Sequence, residues 1–282
     1  MSKFKKHIVI VGTARSGTSW LSETMASQHR YRMLFEPEHD TQTKRGHLLC
    51  DKWITTKTAS KEVKRYLEQV FSNRVDCDWI AQNSNRKYKR HLWPFIPKKF
   101  VIKFVRASLM AQFINETYQI PVIHLIRNPY DVLKSQQKVK FPWLYDLSYF
   151  ANQQSLVSVI KEEFNFDITR YVDLSDLEKL TLRWCIENVL PLERFESYND
   201  HVKVVRYEEL FSDIQVFYSL CEAFNLEPIS NLEDSYSKPS SKTHPDSNVL
   251  IQQKKPVAWS EEELKKINNI LDAFKTQLYS RQ

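Results

Sequence analysis

Only three glycines occur in this 282-residue chain, and two of them, Gly12 and Gly17, lie five residues apart where an apolar run meets a helical pattern. Glycine costs backbone entropy, so a chain this poor in glycine keeps it where the backbone passes close to a ligand or takes a positive φ. The segment 7–21 therefore predicts a strand, a phosphate-cradling loop and a helix whose N-terminus faces an anion.

The loop differs from that of the nucleotide triphosphatases at a decisive position. Their pattern, G-x-x-x-x-G-K-[ST], places a lysine on the β and γ phosphates and a hydroxyl on Mg²⁺. Here Thr18 occupies the lysine position, and the cation is Arg15, two residues before Gly17. A guanidinium inside such a loop can form two hydrogen bonds to oxyanions at once.

A second segment, residues 121–135, has the same character. An apolar, strand-like run ends at Arg127, a turn follows at Asn128-Pro129, and a helical pattern brings Ser135 round two turns later. A charged donor at a strand end and a hydroxyl on the next helix can bind one phosphate together. A triphosphatase would end this strand in a magnesium-holding Asp, so Arg127 argues against a metal here.

Both segments resemble motifs of the sulfotransferases that use 3′-phosphoadenosine 5′-phosphosulfate (PAPS). Arg-Ser-Gly-Thr-Ser-Trp at 15–20 is similar to their 5′-phosphosulfate loop, and Arg127 with Ser135 falls in register with their 3′-phosphate motif, Arg-[Asp/Asn]-Pro-x-x-[Val/Ile]-x-x-Ser. The resemblance implies PAPS as co-substrate, 3′-phosphoadenosine 5′-phosphate (PAP) as product, and no metal. The residues implied to bind the donor are Arg15, Ser16, Gly17, Thr18 and Ser19 at the 5′ end, Trp20 at the adenine, and Arg127 and Ser135 at the 3′-phosphate.

Two further strand-like runs carry the candidate catalytic residues besides Arg15. Glu36 follows the run Tyr31–Phe35 and precedes Pro37, which fixes the local chain. It resembles the Phe-Glu-Pro of carbohydrate and related bacterial sulfotransferases, in which this Glu is a proposed base. Lys103, within the run 100–106 that ends at Arg106, resembles the family lysine that neutralises charge on the leaving phosphate.

The residue two positions after Lys103 narrows the class of acceptor molecule. Members of the family that act on small molecules in the cytosol carry a catalytic histidine there, whereas this chain has Val105. The resemblance therefore favours Glu36 as the base, and it moves the expected acceptor from steroids and phenols toward glycans or related hydroxyls. Lys254 and Lys255 are weaker candidates for the 3′-phosphate site, and the irregular stretches 40–60 and 228–258 are candidate lids or acceptor loops.

The order of elements predicts the fold class. Strand-like runs near 7–12, 31–35, 100–105, 121–127 and 202–206 alternate with helical patterns, two of which begin with capping boxes, Ser175 with Glu178 and Ser260 with Glu263. We expect a single α/β domain over residues 1–282, with a central parallel five-stranded sheet flanked by helices, in the P-loop-like sulfotransferase fold. Ligands bind beyond the carboxyl ends of such strands, where Gly12, Glu36, Lys103, Arg127 and Arg206 fall. We interpret Arg206, Tyr207 and Glu208 as architecture that ends the last strand and starts a helix.

Composition adds limits to this interpretation. A net charge of +7 suits an anionic donor. The basic run 85–91, with Trp93, Lys98 and Lys99 after it, is either a solvated face or a surface for a polyanion or nucleic acid. The four cysteines, at 50, 77, 185 and 221, lack zinc or disulfide spacing and are typical of reduced cytoplasmic thiols. The apolar run before Gly12 is too short for a signal segment or a membrane span.

The sequence thus predicts a cytoplasmic enzyme that moves a sulfuryl group from PAPS to an acceptor hydroxyl, on a carbohydrate or a related molecule. No nucleic-acid partner is expected, and the sequence leaves the oligomeric state open. Two alternatives remain: a nucleotide-dependent kinase on the same fold, and a non-catalytic module that binds anions or nucleic acid through the basic run.

Overall fold

The structure is a computed structural model that describes residues 4–27, 31–75, 77–82, 99–194, 202–226, 232–236, 240–241 and 258–282. The basic run 85–91, Trp93, Lys98, Lys254 and Lys255 lie outside the described residues, as does most of the stretch 228–258.

Five parallel strands form one sheet at the centre of the fold. They are β1 (Ile8–Val11), β2 (Tyr31–Phe35), β3 (Lys99–Lys103), β4 (Val122–Ile126) and β5 (Val202–Arg206), in the spatial order β2-β3-β1-β4-β5. This confirms the predicted five-stranded parallel sheet, and each predicted strand lies within two residues of its observed bounds. All residues of β1 and β4 are buried, as expected for strands covered by helices on both faces.

Helices cover both faces of the sheet. Their bounds are α1 Thr18–Ala26, α2 Lys61–Phe71, α3 Asp78–Ala81, α4 Ala111–Tyr118, α5 Pro129–Val139, α6 Ser148–Ala151, α7 Gln154–Phe164, α8 Asp176–Val189, α9 Tyr207–Ser212, α10 Ile214–Ala223, α11 Leu232–Tyr236 and α12 Glu261–Ala273. Both predicted capping boxes are present, at the starts of α8 and α12. Helix α5 begins where Asn128 caps it and Pro129 occupies its first position.

Alternation along β1 sorts the core into two layers. Val9 and Val11 belong to the hydrophobic cluster packed with α2 and α4, whereas Ile8 and Ile10 belong to the cluster packed with α1 and α10. Successive strand side chains point to opposite faces, which produces this division. A third cluster joins α5, α7, α8 and α12. Among the described residues, no helix is both long and apolar enough to cross a membrane.

Candidate active site

The strand register brings the predicted site residues to one edge of the sheet. Phe35 pairs with Lys103, and Lys103 pairs with Ile10, so Glu36, Lys103 and the loop after β1 lie side by side. A cavity of about 630 Å³ opens at this edge. The predicted site residues that line it are Arg15, Gly17, Thr18, Ser19, Trp20, Glu36, Lys103 and Arg127.

Both glycines of the loop are required by close contacts. Gly17 precedes α1 with φ of 97°, and a Cβ added there would lie 2.5 Å from the ring of Tyr207. A Cβ on Gly12 would lie 2.4 Å from the carbonyl oxygen of Leu125 on β4. The predicted positive φ is therefore confirmed at Gly17, whereas Gly12 is required by the close approach of the β4 backbone.

The loop after β1 is held by a hydrogen bond within its own turn and by side chains of α8 and α5. The hydroxyl of buried Ser16 donates a hydrogen bond to the carbonyl of Thr13, and the amide of Asn188 donates to the Thr13 hydroxyl at 2.7 Å. Gln136 of α5 donates to the carbonyl of Ala14 at 3.0 Å. Ser16 thus contributes to the shape of the loop, which leaves the amides and the Arg15 side chain to meet a ligand.

The two predicted phosphate motifs contact each other directly. Arg15 Nε donates to Ser135 Oγ at 2.9 Å, and Arg127 Nη1 donates to the carbonyl of Arg15 at 3.0 Å. The Arg127 guanidinium lies 4.5 Å from the centre of the Tyr207 ring, and its Nη2 is 3.6 Å from a carboxylate oxygen of Asp131. Ser135 is behind Arg15 rather than among the residues that line the cavity.

The electrostatics of this corner favour an anion. Burial, and after it the charge of Arg127, lower the pKa of Arg15, because two guanidinium groups share a poorly hydrated place. Arg127 Nε is buried, and it has no hydrogen-bond partner within the described part of the chain. A phosphate would both relieve the repulsion and accept from this donor.

Lys103 and Glu36 form an ion pair that also lines the cavity. Lys103 Nζ contacts Glu36 Oε1, and the two side chains are only 3% and 13% exposed. The ammonium group also lies 4.2 Å from the centre of the Phe35 ring. The residue predicted as base and the residue predicted to stabilise the leaving group are therefore in direct contact.

The turn after Glu36 is tied to the end of β3. Glu36 has a left-handed backbone with φ of 41°, and its carbonyl accepts from the amide of His39 at 3.1 Å. Between them, Glu38 is fully buried and accepts from the amides of Val105 and Arg106 at 2.6 and 3.1 Å. Burial first, and the charge of Glu36 second, raise the pKa of Glu38 to about 8.

Aromatic side chains form the remaining walls. Phe35 and Trp79 line one side, and Phe141 and Trp143 line another, with their rings nearly parallel at 13°. Sequence reasoning identified neither Trp79 nor this pair. The only available signal was the density of aromatics in Phe141-Pro-Trp143, which by itself does not separate a cavity wall from core.

A buried ionic network holds Trp143 in place. Asp51 accepts from Arg106 at 2.7 Å and from Arg183 at 3.1 Å, and all three side chains are almost fully buried. Both guanidinium groups lie against the Trp143 ring, at 4.8 and 5.4 Å from its centre. Arg183 Nη2 also donates to the Trp143 carbonyl at 3.0 Å. The network therefore explains why a positively charged residue, Arg106, is buried just after β3: its guanidinium is paired with Asp51.

The junction of β5 and α9 contributes Tyr207 to the cavity rather than the expected Arg206. Of the five strand-end residues expected to converge, Glu36, Lys103 and Arg127 line the cavity, whereas Gly12 and Arg206 do not. Arg206 donates instead to the carbonyl of Leu278 at 2.8 Å. Glu208 accepts from the Asn128 amide at 2.8 Å, which fits the architectural interpretation. Tyr207 instead lines the cavity beside Trp20, with ring centres 6.2 Å apart.

A parallel sheet with a glycine loop and cationic strand ends at one edge defines a site for nucleotide phosphates. Among the described residues there is no group of three or more His, Cys, Asp or Glu that could hold a metal ion. The family model of the sulfotransferase domain matches residues 5–268. The chain therefore belongs to the sulfotransferase family.

Solved structures with similar folds include mouse SULT7A1 complexed with PAP, at 12% identity and a TM-score of 0.45, covering 96% of this chain and 86% of that one. Sulfotransferase STF9 from Mycobacterium avium has 11% identity and a TM-score of 0.48, covering 99% and 79%. The sulfotransferase domain from the curacin biosynthetic pathway has 17% identity and a TM-score of 0.46, covering 97% and 98%. No curated protein matches the chain.

Proposed function

We propose that this sulfotransferase moves the sulfuryl group of PAPS to a hydroxyl of a neutral carbohydrate, and that the two arginine motifs hold the two ends of the donor. The observation that supports this most strongly is the contact between Arg15 and Arg127 beside the buried Nε of Arg127 that has no partner among the described residues.

In this proposal the loop after β1 binds the 5′-phosphosulfate. Arg15, Thr18, Ser19 and the amide of Gly17 line the cavity at the start of α1, where the helix dipole favours negative charge. Ser16 supports them from below through its bond to Thr13.

The 3′-phosphate lies at the second motif, and the adenine lies against aromatic side chains. Arg127 Nε donates to the 3′-phosphate, and Ser135 orients Arg15 at its edge. Trp20 and Tyr207 supply aromatic faces for the adenine on the same side of the cavity.

The chemistry at the transfer point needs charge compensation more than covalent help, as in phosphoryl transfer. A bond forms from the acceptor oxygen to sulfur while the bond from sulfur to the 5′-phosphate oxygen breaks. Lys103 offsets the charge that develops on the departing phosphate. Glu36, predicted from the sequence as the base, accepts the hydrogen bond of the acceptor hydroxyl and lies beside Lys103.

The acceptor side of the cavity has the character of a site for neutral sugars. Phe35, Trp79 and Trp143 provide flat apolar walls, and Gln82 adds a polar group to the lining. Within the described ranges, the only lysines and arginines that line the cavity are those assigned to the donor, Arg15, Lys103 and Arg127. A sugar ring without charge can stack its C–H face on such walls, whereas a polyanionic acceptor would face Glu36, and the described residues offer it no further lysine or arginine.

The test is a transfer assay with PAPS, carried out against neutral oligosaccharides, sulfated glycans and phenols. We expect sulfate esters from the neutral oligosaccharides, formed equally well with EDTA in the buffer. Transfer to phenols alone, or to sulfated glycans alone, would contradict the acceptor assignment. Binding of ATP with Mg²⁺ and phosphate transfer in place of sulfate transfer would contradict the reaction.

Two coarser predictions remain part of the proposal. One domain spans residues 1–282, and the enzyme works in the cytoplasm. The four cysteines, at 50, 77, 185 and 221, are all free thiols, which supports a reducing compartment.

A further inference from the structure

His39 lies in the acceptor half of the cavity and has no part in the function proposed above. It lines the cavity together with Glu36, three residues earlier, because the turn between them folds both side chains toward the same space. Its ring packs edge-on against Trp79, with ring centres 4.8 Å apart and an angle of 73° between the planes. The imidazole therefore has a fixed orientation at the place where an acceptor hydroxyl has to enter.

The two ring nitrogens of His39 have different surroundings. Nδ1 lies 3.3 Å from the hydroxyl of Thr41 and 3.7 Å from a carboxylate oxygen of Asp40. Asp40 is itself held by buried Arg106, whose Nη1 donates to it at 3.2 Å. Nε2 makes no hydrogen bond to any residue in the described ranges. The Thr41 hydroxyl is therefore the hydrogen-bond partner of Nδ1, and Asp40 acts on the ring as a nearby negative charge. In the tautomer in which Nδ1 donates to Thr41, Nε2 carries a lone pair that can accept a proton.

The third glycine of the chain supports this arrangement. A Cβ on Gly46 would lie 2.3 Å from the carbonyl oxygen of His39 and 2.5 Å from the hydroxyl of Thr43. Thr43 in turn donates through both its amide and its hydroxyl to the same carbonyl, at 3.0 and 2.9 Å. The loop after Glu36 is therefore packed tightly around the backbone of His39.

Glu36 is less available as a base than its sequence position indicates. One of its carboxylate oxygens contacts the ammonium of Lys103, and both side chains are nearly buried. The remaining oxygen can still accept a hydrogen bond and orient a hydroxyl.

We propose that His39 is the general base of the transfer, that Asp40 is the positioning residue for its ring, and that Glu36 orients the acceptor hydroxyl and holds Lys103. This inference rests on the proposed function and moves the proton from Glu36, the base predicted from the sequence, to His39. The acceptor oxygen forms its bond to sulfur as the S–O bond to the 5′-phosphate breaks, and the electron pair of that bond stays on PAP. The acceptor proton goes to His39 Nε2, and the imidazolium later releases it to water.

The pH dependence follows from the groups around His39. Burial lowers its pKa below the ordinary value of 6.5, Glu36 and Asp40 act in the opposite direction, and Arg106 lowers it further. The neutral imidazole is the form that accepts a proton, so kcat/KM rises with pH through the pKa of His39 and is level at neutral pH. Asp40→Asn removes a charge that raises this pKa, so the acidic limb moves to lower pH.

The experiment measures kcat/KM against pH with the neutral oligosaccharide that the wild-type enzyme sulfates best. His39→Ala is expected to lose ~10²–10⁴ in kcat/KM, the usual share of general base catalysis, and to recover part of it when free imidazole is added. His39→Gln, which keeps a polar side chain of similar length, shows no imidazole rescue and no His39 limb. His47→Ala, an exposed histidine on the same loop, is the matched control and keeps wild-type rates.

Calorimetry of PAP binding distinguishes a wrong assignment of His39 from a wrong proposed function. If both His39 variants keep PAP affinity and lose turnover, and free imidazole restores activity to His39→Ala alone, His39 is the base. Near-wild-type rates in His39→Gln, or loss in His39→Ala without rescue while its melting temperature and PAP affinity are unchanged, would overturn the assignment. A wild-type enzyme that binds no PAP or transfers no sulfate would contradict the proposed function instead.

Discussion

Arg127→Ala tests how the enzyme binds the 3′-phosphate of the donor. Arg127 lies at the end of β4, and its buried Nε has no hydrogen-bond partner among the described residues. In the structure this guanidinium packs on Tyr207 and holds the Arg15 carbonyl with Nη1, while its buried Nε is unpaired. In our proposal Nε donates to the 3′-phosphate of the donor. The substitution removes that interaction and also weakens the support of the loop.

The expected magnitude follows from the contacts that are lost. A hydrogen bond to a charged group contributes ~1.5–3 kcal/mol, and the phosphate gains at least one from Nε together with the attraction of the whole cation. We therefore expect a loss of about 3 kcal/mol for PAP, which corresponds to about two orders of magnitude in Kd. Adenosine 5′-monophosphate has no 3′-phosphate, so its affinity reports only the effect on the loop.

The assay is isothermal titration calorimetry of both nucleotides against the wild type and Arg127→Ala. The ratio of the two affinities cancels the loop effect, because Nη1 supports the Arg15 carbonyl with either ligand. Arg206→Ala is the matched control, since it removes an arginine at the end of the neighbouring strand that binds Leu278 instead of lining the cavity. Equal losses for the two nucleotides in Arg127→Ala would refute the 3′-phosphate assignment.

Three further substitutions test the loop, the transfer point and the buried carboxylate. Gly17→Ala places a methyl group against Tyr207 at a positive φ, so we expect a loss of ~1–3 kcal/mol in stability and weaker PAP binding. Melting curves with and without PAP measure both effects, and an unchanged melting temperature would contradict the close contact. Lys103→Met is expected to lower kcat by ~10²–10³ with PAP affinity changed less than tenfold, and a wild-type kcat would remove Lys103 from the chemistry. The pKa of Glu38 is raised from 4.5 to about 8, so the folded state holds the carboxyl proton more tightly than the unfolded chain does. The free energy of unfolding of the wild type therefore falls as the pH rises between these values. In urea unfolding, Glu38→Gln should flatten this pH dependence, and an unchanged slope would show that Glu38 does not cause it.

Features that repeat along the chain were predictable. The five strand-like runs and both capping boxes depend on local patterns, and Gly12 and Gly17 mark close approaches that a sequence shows through rarity alone. The meeting of the two phosphate motifs at one edge of the sheet was also predictable, because both follow parallel strands. The bond of Ser135 to Arg15 was not, since Ser135 was expected to act with Arg127 on the 3′-phosphate.

Features that depend on turns and on long-range packing could not be predicted from the sequence. His39 follows Glu36 by three residues, but only the left-handed backbone of Glu36 folds the chain so that both side chains line one cavity. Arg106 looked unexplained because its partner Asp51 comes from a loop without regular structure. Arg206 was expected in the crevice, and it turned away because the C-terminal segment offers the Leu278 carbonyl and the Tyr279 ring.

A crystal structure of the enzyme with PAP tests the central claim most directly. We predict the 5′-phosphate on the loop of residues 12–19 beside Arg15, and the 3′-phosphate within about 3 Å of Arg127 Nε. PAP bound in the reverse orientation, or outside the cavity between β1 and β4, would contradict the account.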